Sequence, residues 1–260
     1  GNETDLNNAV AAAKAAFKTW GKTSAQERCD LINAIAAKMT ERKQDLAAAM
    51  SMSMGCPLDM TMDLQTEGPI YGMQTFAEKA FQMEAVKEVK NSLVVKEPVG
   101  VCAFINPWNY PLNQFVGKVA PALAAGCTII AKPAEQTPLQ DIIMAEIFDE
   151  VGLPAGVFNL VIGSGPEVGA AMSSHKDVDM VSFTGSTRAG VMIAQAAAPS
   201  VKRVTQELGG KSPFIITADA DLEKAVNYGV EDVMINTGQT CTALTRMLVP
   251  ASRYEDAIVI

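Results

Sequence analysis

Apolar residues recur at intervals of three and four where the chain opens: Leu6, Val10, Ala13, Phe17 and Trp20 share one stripe. That spacing predicts a core-facing helix of about four turns. A second helix is expected from Ser24-Ala25-Gln26-Glu27, whose serine and glutamate form a capping box. It should turn Leu31, Ile35, Met39 and Leu46 inward until Gly55-Cys56-Pro57 stops it. A Met-rich helical stretch follows from Asp59 to about Glu84, with a break expected at Gly68-Pro69. Methionines at such spacing read as adaptable core filler.

Near Val86 the pattern changes. The segment from Ser92 to Val101 has the β-branched content and turn residues of paired strands. Beyond it, short apolar runs alternate with helical ones. Strands are expected at Val101–Ile105, Thr128–Ala131, Val157–Ile162, Val178–Ser182 and Arg203–Leu208. Helices are expected at Asn113–Ala125, Pro138–Val151, Glu167–Ser173 and Arg188–Ala197. This alternation predicts an α/β fold, a doubly wound parallel sheet with ligands at the strands' carboxyl ends. After Gly209-Gly210 a new unit starts, with a strand at Phe214–Ile216, a helix from Asp221 toward Met234 and a strand at Met247–Val249. About 50 residues bury a core with difficulty. Together with a final helical stretch that ends on Ile260, this makes an incomplete second domain the expectation.

Composition narrows the function. With 260 residues, 19% charged, the chain is that of a packed globular protein, and a net charge of −8 disfavours nucleic acid and anionic lipid as partners. No apolar run approaches the roughly 18 residues that span a bilayer. Five scattered cysteines without CxxC spacing, and no signal peptide, suggest a reducing, cytoplasmic setting. The single histidine, His175, lies in a polar stretch that reads as a surface loop. A Ser-His-Asp triad and a multi-histidine metal site therefore drop out, and no metal is expected.

Two glycine-rich segments fail on spacing. Gly163-Ser164-Gly165-Pro166-Glu167-Val168-Gly169 is one residue longer than the dinucleotide fingerprint, and Gly209-Gly210-Lys211-Ser212 lacks the first glycine of a phosphate loop, Thr205 standing there. Other positions carry more. Cys241 follows a glycine loop, where a ligand can approach a thiol closely; a small buried hydrophobe is the alternative. Glu207 ends a predicted strand, where its carboxylate can project into the crevice at the strands' carboxyl edge or merely cap the next turn. Asn109, in a loop stiffened by Pro107 and Pro111, offers an amide to an oxyanion, unless the segment is a structural turn with Trp108 as its packing residue. Lys132 and Glu135, flanking Pro133 and Ala134, can hold ribose hydroxyls or form a surface ion pair. Ser186, after Gly185, sits at a helix N-terminus that suits a phosphate or is an ordinary cap.

Five segments, in order and in register, resemble the aldehyde dehydrogenase superfamily: Pro107-Trp108-Asn109-Tyr110-Pro111, Lys132-Pro133-Ala134-Glu135, Phe183-Thr184-Gly185-Ser186-Thr187, Glu207-Leu208-Gly209-Gly210-Lys211-Ser212-Pro213 and Gly238-Gln239-Thr240-Cys241. The resemblance implies that a small-molecule aldehyde is oxidised to an acid with NAD(P). Cys241 would be the nucleophile, Glu207 the base and Asn109 an oxyanion donor. Trp108, Lys132, Pro133, Ala134, Glu135, Gly185, Ser186 and Leu208 would line the cofactor path. Glu135 would repel a 2′-phosphate, which leans the cofactor to NAD with NADP possible. It also implies a nucleotide-binding domain from residues 1–85 and 100–208, an oligomerisation hairpin at 86–99 and the beginning of a catalytic domain at 209–260. The full-length protein is expected to be a homodimer or homotetramer. The alternatives are an acylating, coenzyme A-dependent relative, which usually lacks a base at the Glu207 position, and an inactive truncated fragment.

Overall fold

The computed structural model describes all residues, Gly1–Ile260. They fall into two compact units, Gly1–Glu207 and Leu208–Ile260. No helix is long and apolar enough to cross a membrane.

The first unit opens with α1 (Glu3–Trp20), capped by Asn2, and α2 (Ala25–Glu41), where Ser24 Oγ accepts from Glu27 N and Glu27 Oε2 accepts from Ser24 N. Leu6, Val10, Ala13 and Trp20 are buried as their spacing predicts. The second helix does not run unbroken to Gly55. Arg42 leaves the helical region (φ −100°, ψ 18°) and a separate α3 (Lys43–Met54) begins. There the Arg42 guanidinium bonds Asp45, Glu146 and Glu150, side-chain partners that hydropathy does not register. Nor does Gly68-Pro69 break the third stretch. After the short α4 (Leu58–Met60), residues Thr61–Glu67 form a π-helix, and α5 (Gly68–Lys79) continues from it with Pro69 in its first turn. A proline within a helix removes one backbone hydrogen bond, and here that interruption falls directly after the wide π-turn.

The hairpin is narrower than expected. Only β1 (Lys87–Val89) and β2 (Ser92–Val94) pair, antiparallel, and Val95–Gly100 is irregular. Every residue of both strands is exposed.

The sheet contains β3 (Val101–Ile105), β4 (Thr128–Lys132), β5 (Phe158–Leu160), β6 (Met180–Gly185) and β7 (Arg203–Leu208), in the order β5-β4-β3-β6-β7. The pairs β3/β4, β3/β6 and β4/β5 are parallel. The connecting helices are α6 (Pro111–Ala125), α7 (Leu139–Glu150), α8 (Ala170–Ser174) and α9 (Thr187–Ala197). The segment before α8, expected as ordinary helix, winds as a wide π-turn over Gly165–Gly169. Cys102, Phe104, Ile129 and Ala131 enter one core with α2, α3, α5, α6 and α7. The alternate residues Val101, Ala103, Ile105 and Ile130 are buried too, so both faces are covered, as a two-residue strand period requires. The chain builds β3, β4 and β5 outward, then crosses to β6 on the other side of β3. That reversal opens a crevice at the carboxyl ends of β3 and β6.

The second unit pairs β8 (Pro213–Ile215) with β9 (Arg246–Leu248) in parallel, beside α10 (Leu222–Met234) and α11 (Tyr254–Val259). Its core is small, three buried residues, Ile216, Leu222 and Val226, with partly buried neighbours. This agrees with the limited core its length allows.

Candidate active site

The sheet's switch point sets the first group of side chains. Leaving β3, the loop Pro107–Tyr110 carries Trp108, 41% exposed and therefore not a core residue, and Asn109, whose backbone carbonyl accepts from Gln65 Nε2 at 3.0 Å. Leaving β4, Lys132 is 2% exposed. Its Nζ donates to the carbonyls of Pro133 (2.7 Å) and Gly163 (2.9 Å) and lies 3.7 Å from Glu135 Oε2. The surface ion pair weighed as the alternative does not describe a cation this deep. Pro133 and Ala134 are buried beside it.

Burial lowers the Lys132 ammonium from its usual range, with Glu135 opposing. Burial pushes the Glu135 carboxyl up, but backbone N–H donors, Gly165 among them, together with Lys132 outweigh it and hold it below the usual range. The Gly165 N–H donates to Glu135 Oε1 at 2.6 Å. The glycine-rich segment that failed as a dinucleotide fingerprint is thus tied directly to the Lys132–Glu135 pair. Its residues Gly165, Pro166 and Gly169 join Ile105, Phe183, Ala189 and Met192 around a largely apolar cavity of about 430 Å³. Spacing alone hid this, because a π-turn replaces the expected helix start.

After β6, Gly185 has no room for a side chain: a Cβ there would lie 2.5 Å from the Phe183 ring. Ser186 caps α9, its Oγ accepting from Ala189 N at 3.3 Å.

Glu207, exposed on β7, shares a second cavity of about 230 Å³ with Asn113, Gln114, Gly117, Lys118, Ser182, Thr205 and Gln206. Lys118 escaped the sequence reading, although a lone lysine in the otherwise apolar second half of α6 is a visible signal. Its Nζ donates to Thr184 Oγ1 (2.9 Å) and Gln114 Oε1 (3.1 Å). Burial brings its pKa down to about 8, with Glu207 and Asp141 opposing.

Leu208 and Cys241 belong to the other unit. Cys241 is exposed, whereas Cys29, Cys56, Cys102 and Cys127 are all buried. The loop before it is strained: Asn236 and Thr237 have φ of 54° and 55°, and Gly238 follows at 76°. Left-handed non-glycine residues of this kind cost on the order of 1–3 kcal/mol each and concentrate at functional sites. Asn236 is fully buried, and its Nδ2 reaches back to Gln239 O at 3.3 Å. A Cβ on Gly210 would stand 3.6 Å from the Cys241 carbonyl, an ordinary contact.

A cleft at a sheet switch point, a buried lysine bonded into a glycine turn, and a single exposed thiol on a strained loop meet in one sequence profile. The profile of the aldehyde dehydrogenase family matches residues 1–259. The chain belongs to the aldehyde dehydrogenase family. Among its relatives, 3-succinoylsemialdehyde-pyridine dehydrogenase of Pseudomonas sp is 48% identical over 257 residues, covering 98% of this chain and 54% of the relative. A cysteine-to-alanine mutant of aldehyde dehydrogenase C from Pseudomonas syringae, solved with NAD+ and octanal, superposes with a TM-score of 0.98 at 47% identity. It covers all of this chain and 53% of that one (100% and 53%). Betaine aldehyde dehydrogenase from Staphylococcus aureus, solved with NAD+, gives a TM-score of 0.96 at 39% identity, with 100% and 53% covered. The chain spans about half the length of the relatives it matches.

Proposed function

We propose that the full protein oxidises an aldehyde to a carboxylic acid with NAD, through a covalent intermediate on Cys241. The observation that carries this reading is the exposure of Cys241 alone among five cysteines, within a family match that runs through it. In the proposed reaction the Cys241 thiolate adds to the aldehyde carbon, and the carbonyl oxygen becomes an oxyanion held by the Asn109 amide and the Cys241 backbone N–H. Bound NAD would supply the hydride acceptor for this carbon, leaving a thioester on Cys241. Glu207 takes a proton from water, which adds to the thioester. The acid departs, and the sulfur is free again. Lys118 faces Glu207 across the same cavity, and this carboxylate opposes the fall in the Lys118 pKa that burial causes.

The residues present fit a dinucleotide. The apolar cavity beside Gly165 and Pro166 has the size and walls for an adenine ring. Glu135 and Lys132 would hold the adjoining ribose, and the Ser186 end of the eleven-residue α9 would face phosphate. Trp108, Pro133, Ala134, Gly185 and Leu208 complete the proposed path. A carboxylate at Glu135 disfavours a 2′-phosphate, hence NAD over NADP. The octanal and NAD+ bound by the Pseudomonas syringae relative support an aliphatic aldehyde as substrate. We assign residues 1–85 and 100–208 to cofactor binding and 209–260 to the catalytic domain. The hairpin within 86–99, with Val86, Val89, Leu93, Val94 and Val95 exposed, is assigned to subunit pairing in a homo-oligomer.

The test is NADH formation at 340 nm by the full-length protein with octanal and semialdehydes. Cys241→Ala is expected to abolish it, and Glu207→Gln to leave a single-turnover burst with slow hydrolysis. A Cys241→Ala protein with wild-type turnover would sink the proposal.

A further inference from the structure

Two prolines do not by themselves hold Asn109. Residues Thr61–Glu67 wind as a π-helix, a wide turn that in proteins often sits at functional sites. Its buried threonines take up nearby carbonyls: Thr61 Oγ1 donates to Pro57 O at 2.9 Å, and Thr66 Oγ1 to Thr61 O at 2.9 Å. The same turn carries Gln65, which is completely buried. Gln65 Nε2 donates to the backbone carbonyl of Asn109 at 3.0 Å and to Met54 Sδ at 3.3 Å. Burying a glutamine costs desolvation that a methionine of similar length would largely avoid. What the amide adds is a directed bond to the peptide that links Asn109 to Tyr110.

We propose that Gln65 is a positioning residue: its bond to the Asn109 carbonyl fixes that peptide plane and so aims the Asn109 side-chain amide at the oxyanion. The inference rests on the reading of Asn109 as an oxyanion donor. Donors must stand within a narrow distance of the developing charge, so a displaced peptide lowers turnover while cofactor affinity, set elsewhere in the crevice, stays.

The experiment is a double-mutant cycle in the full-length protein, measuring kcat together with KM for NAD and for aldehyde. Gln65→Met and Gln65→Asn, the second keeping an amide that is one carbon too short, are made alone and on Asn109→Ala. Each single Gln65 variant is expected to lose about 10- to 100-fold in kcat with KM for NAD unchanged. On the Asn109→Ala background neither should cause a further loss, because the group being aimed is gone. A Gln65 variant with wild-type kcat overturns the proposal. So does the same fold-loss on both backgrounds, which would mark Gln65 as a general packing residue while leaving the role of Asn109 standing. An Asn109→Ala protein with wild-type kcat would overturn both readings at once.

Discussion

Asp141 is a carboxylate in an unfavourable place, and its replacement gives a quantitative test. It lies in the first turn of α7, 1% exposed. Oδ1 accepts from Gln140 Nε2 at 2.8 Å, while Oδ2 has no hydrogen-bond partner. Burial pushes its pKa up to about 7, against the opposing pull of Gln140, Lys118 and Lys132. An acid whose pKa is raised by folding binds more protons in the native state than in the unfolded chain, where it titrates near 3.9. Stability is therefore lost as pH rises from about 4 toward 7 and stays reduced above. The difference corresponds to roughly 4 kcal/mol at neutral pH. Asp141→Asn removes this cost. It leaves an amide N–H₂ unpaired in place of Oδ2 and deprives two lysines of a counter-charge, so a net gain of about 1–3 kcal/mol is expected at pH 8. Of the effect, about 2–3 kcal/mol should vanish by pH 5, where the native carboxyl is already protonated. Thermal unfolding of the full-length protein and its Asp141→Asn variant at both pH values reads this directly. An equal effect at pH 5 and pH 8, or a loss confined to pH 8, would refute the argument.

Two further outcomes follow from single contacts. Glu135→Gln keeps an acceptor for the Gly165 N–H but removes the charge, so the kcat/KM ratio for NADP over NAD should rise on the order of tenfold; an unchanged ratio would remove Glu135 from the cofactor site. Gly100 has φ of +124°, and a Cβ there would lie 2.1 Å from Asp179 Oδ2, which accepts from Val101 N at 2.8 Å. Gly100→Ala should therefore cost about 2–4 kcal/mol, seen as a lowered Tm, and a neutral result would contradict the backbone geometry.

The central strands β3 and β4 and the carboxyl-end loops were legible because each strand is a short buried run with turn residues beside it, and four such loops, with the segment before Cys241 that follows α10, repeat a family's order. The breaks were less so. Arg42 ends α2 through three carboxylate partners contributed partly by α7, and no local pattern encodes a partner about a hundred residues away. Gly68-Pro69 looks like a break, yet the extra residue of the preceding π-helix lets the chain continue. The Gly165 segment was set aside for having one residue too many, and that residue belongs to the π-turn that presents Gly165 N–H to Glu135. Lys118, Asp141 and Gln65 were not singled out, because sequence reports polarity and not depth.

These three residues, with Lys132, share a physical logic. Each is a polar or charged group taken from water at the carboxyl edge of the sheet, where apolar packing would have been more stable. Asp141 and the two lysines favour one another's charged forms, so part of the desolvation cost of each is offset by the others. Lys118 in turn faces Glu207, and Lys132 faces Glu135. One buried carboxylate thereby supports two cations that serve different parts of the proposed chemistry, hydrolysis at one and ribose binding at the other. Departures from the cheapest core are expected where a site must be held in place. Here they fall on both sides of the crevice that β3 and β6 open, and removing Asp141 should stabilise the fold while it weakens both.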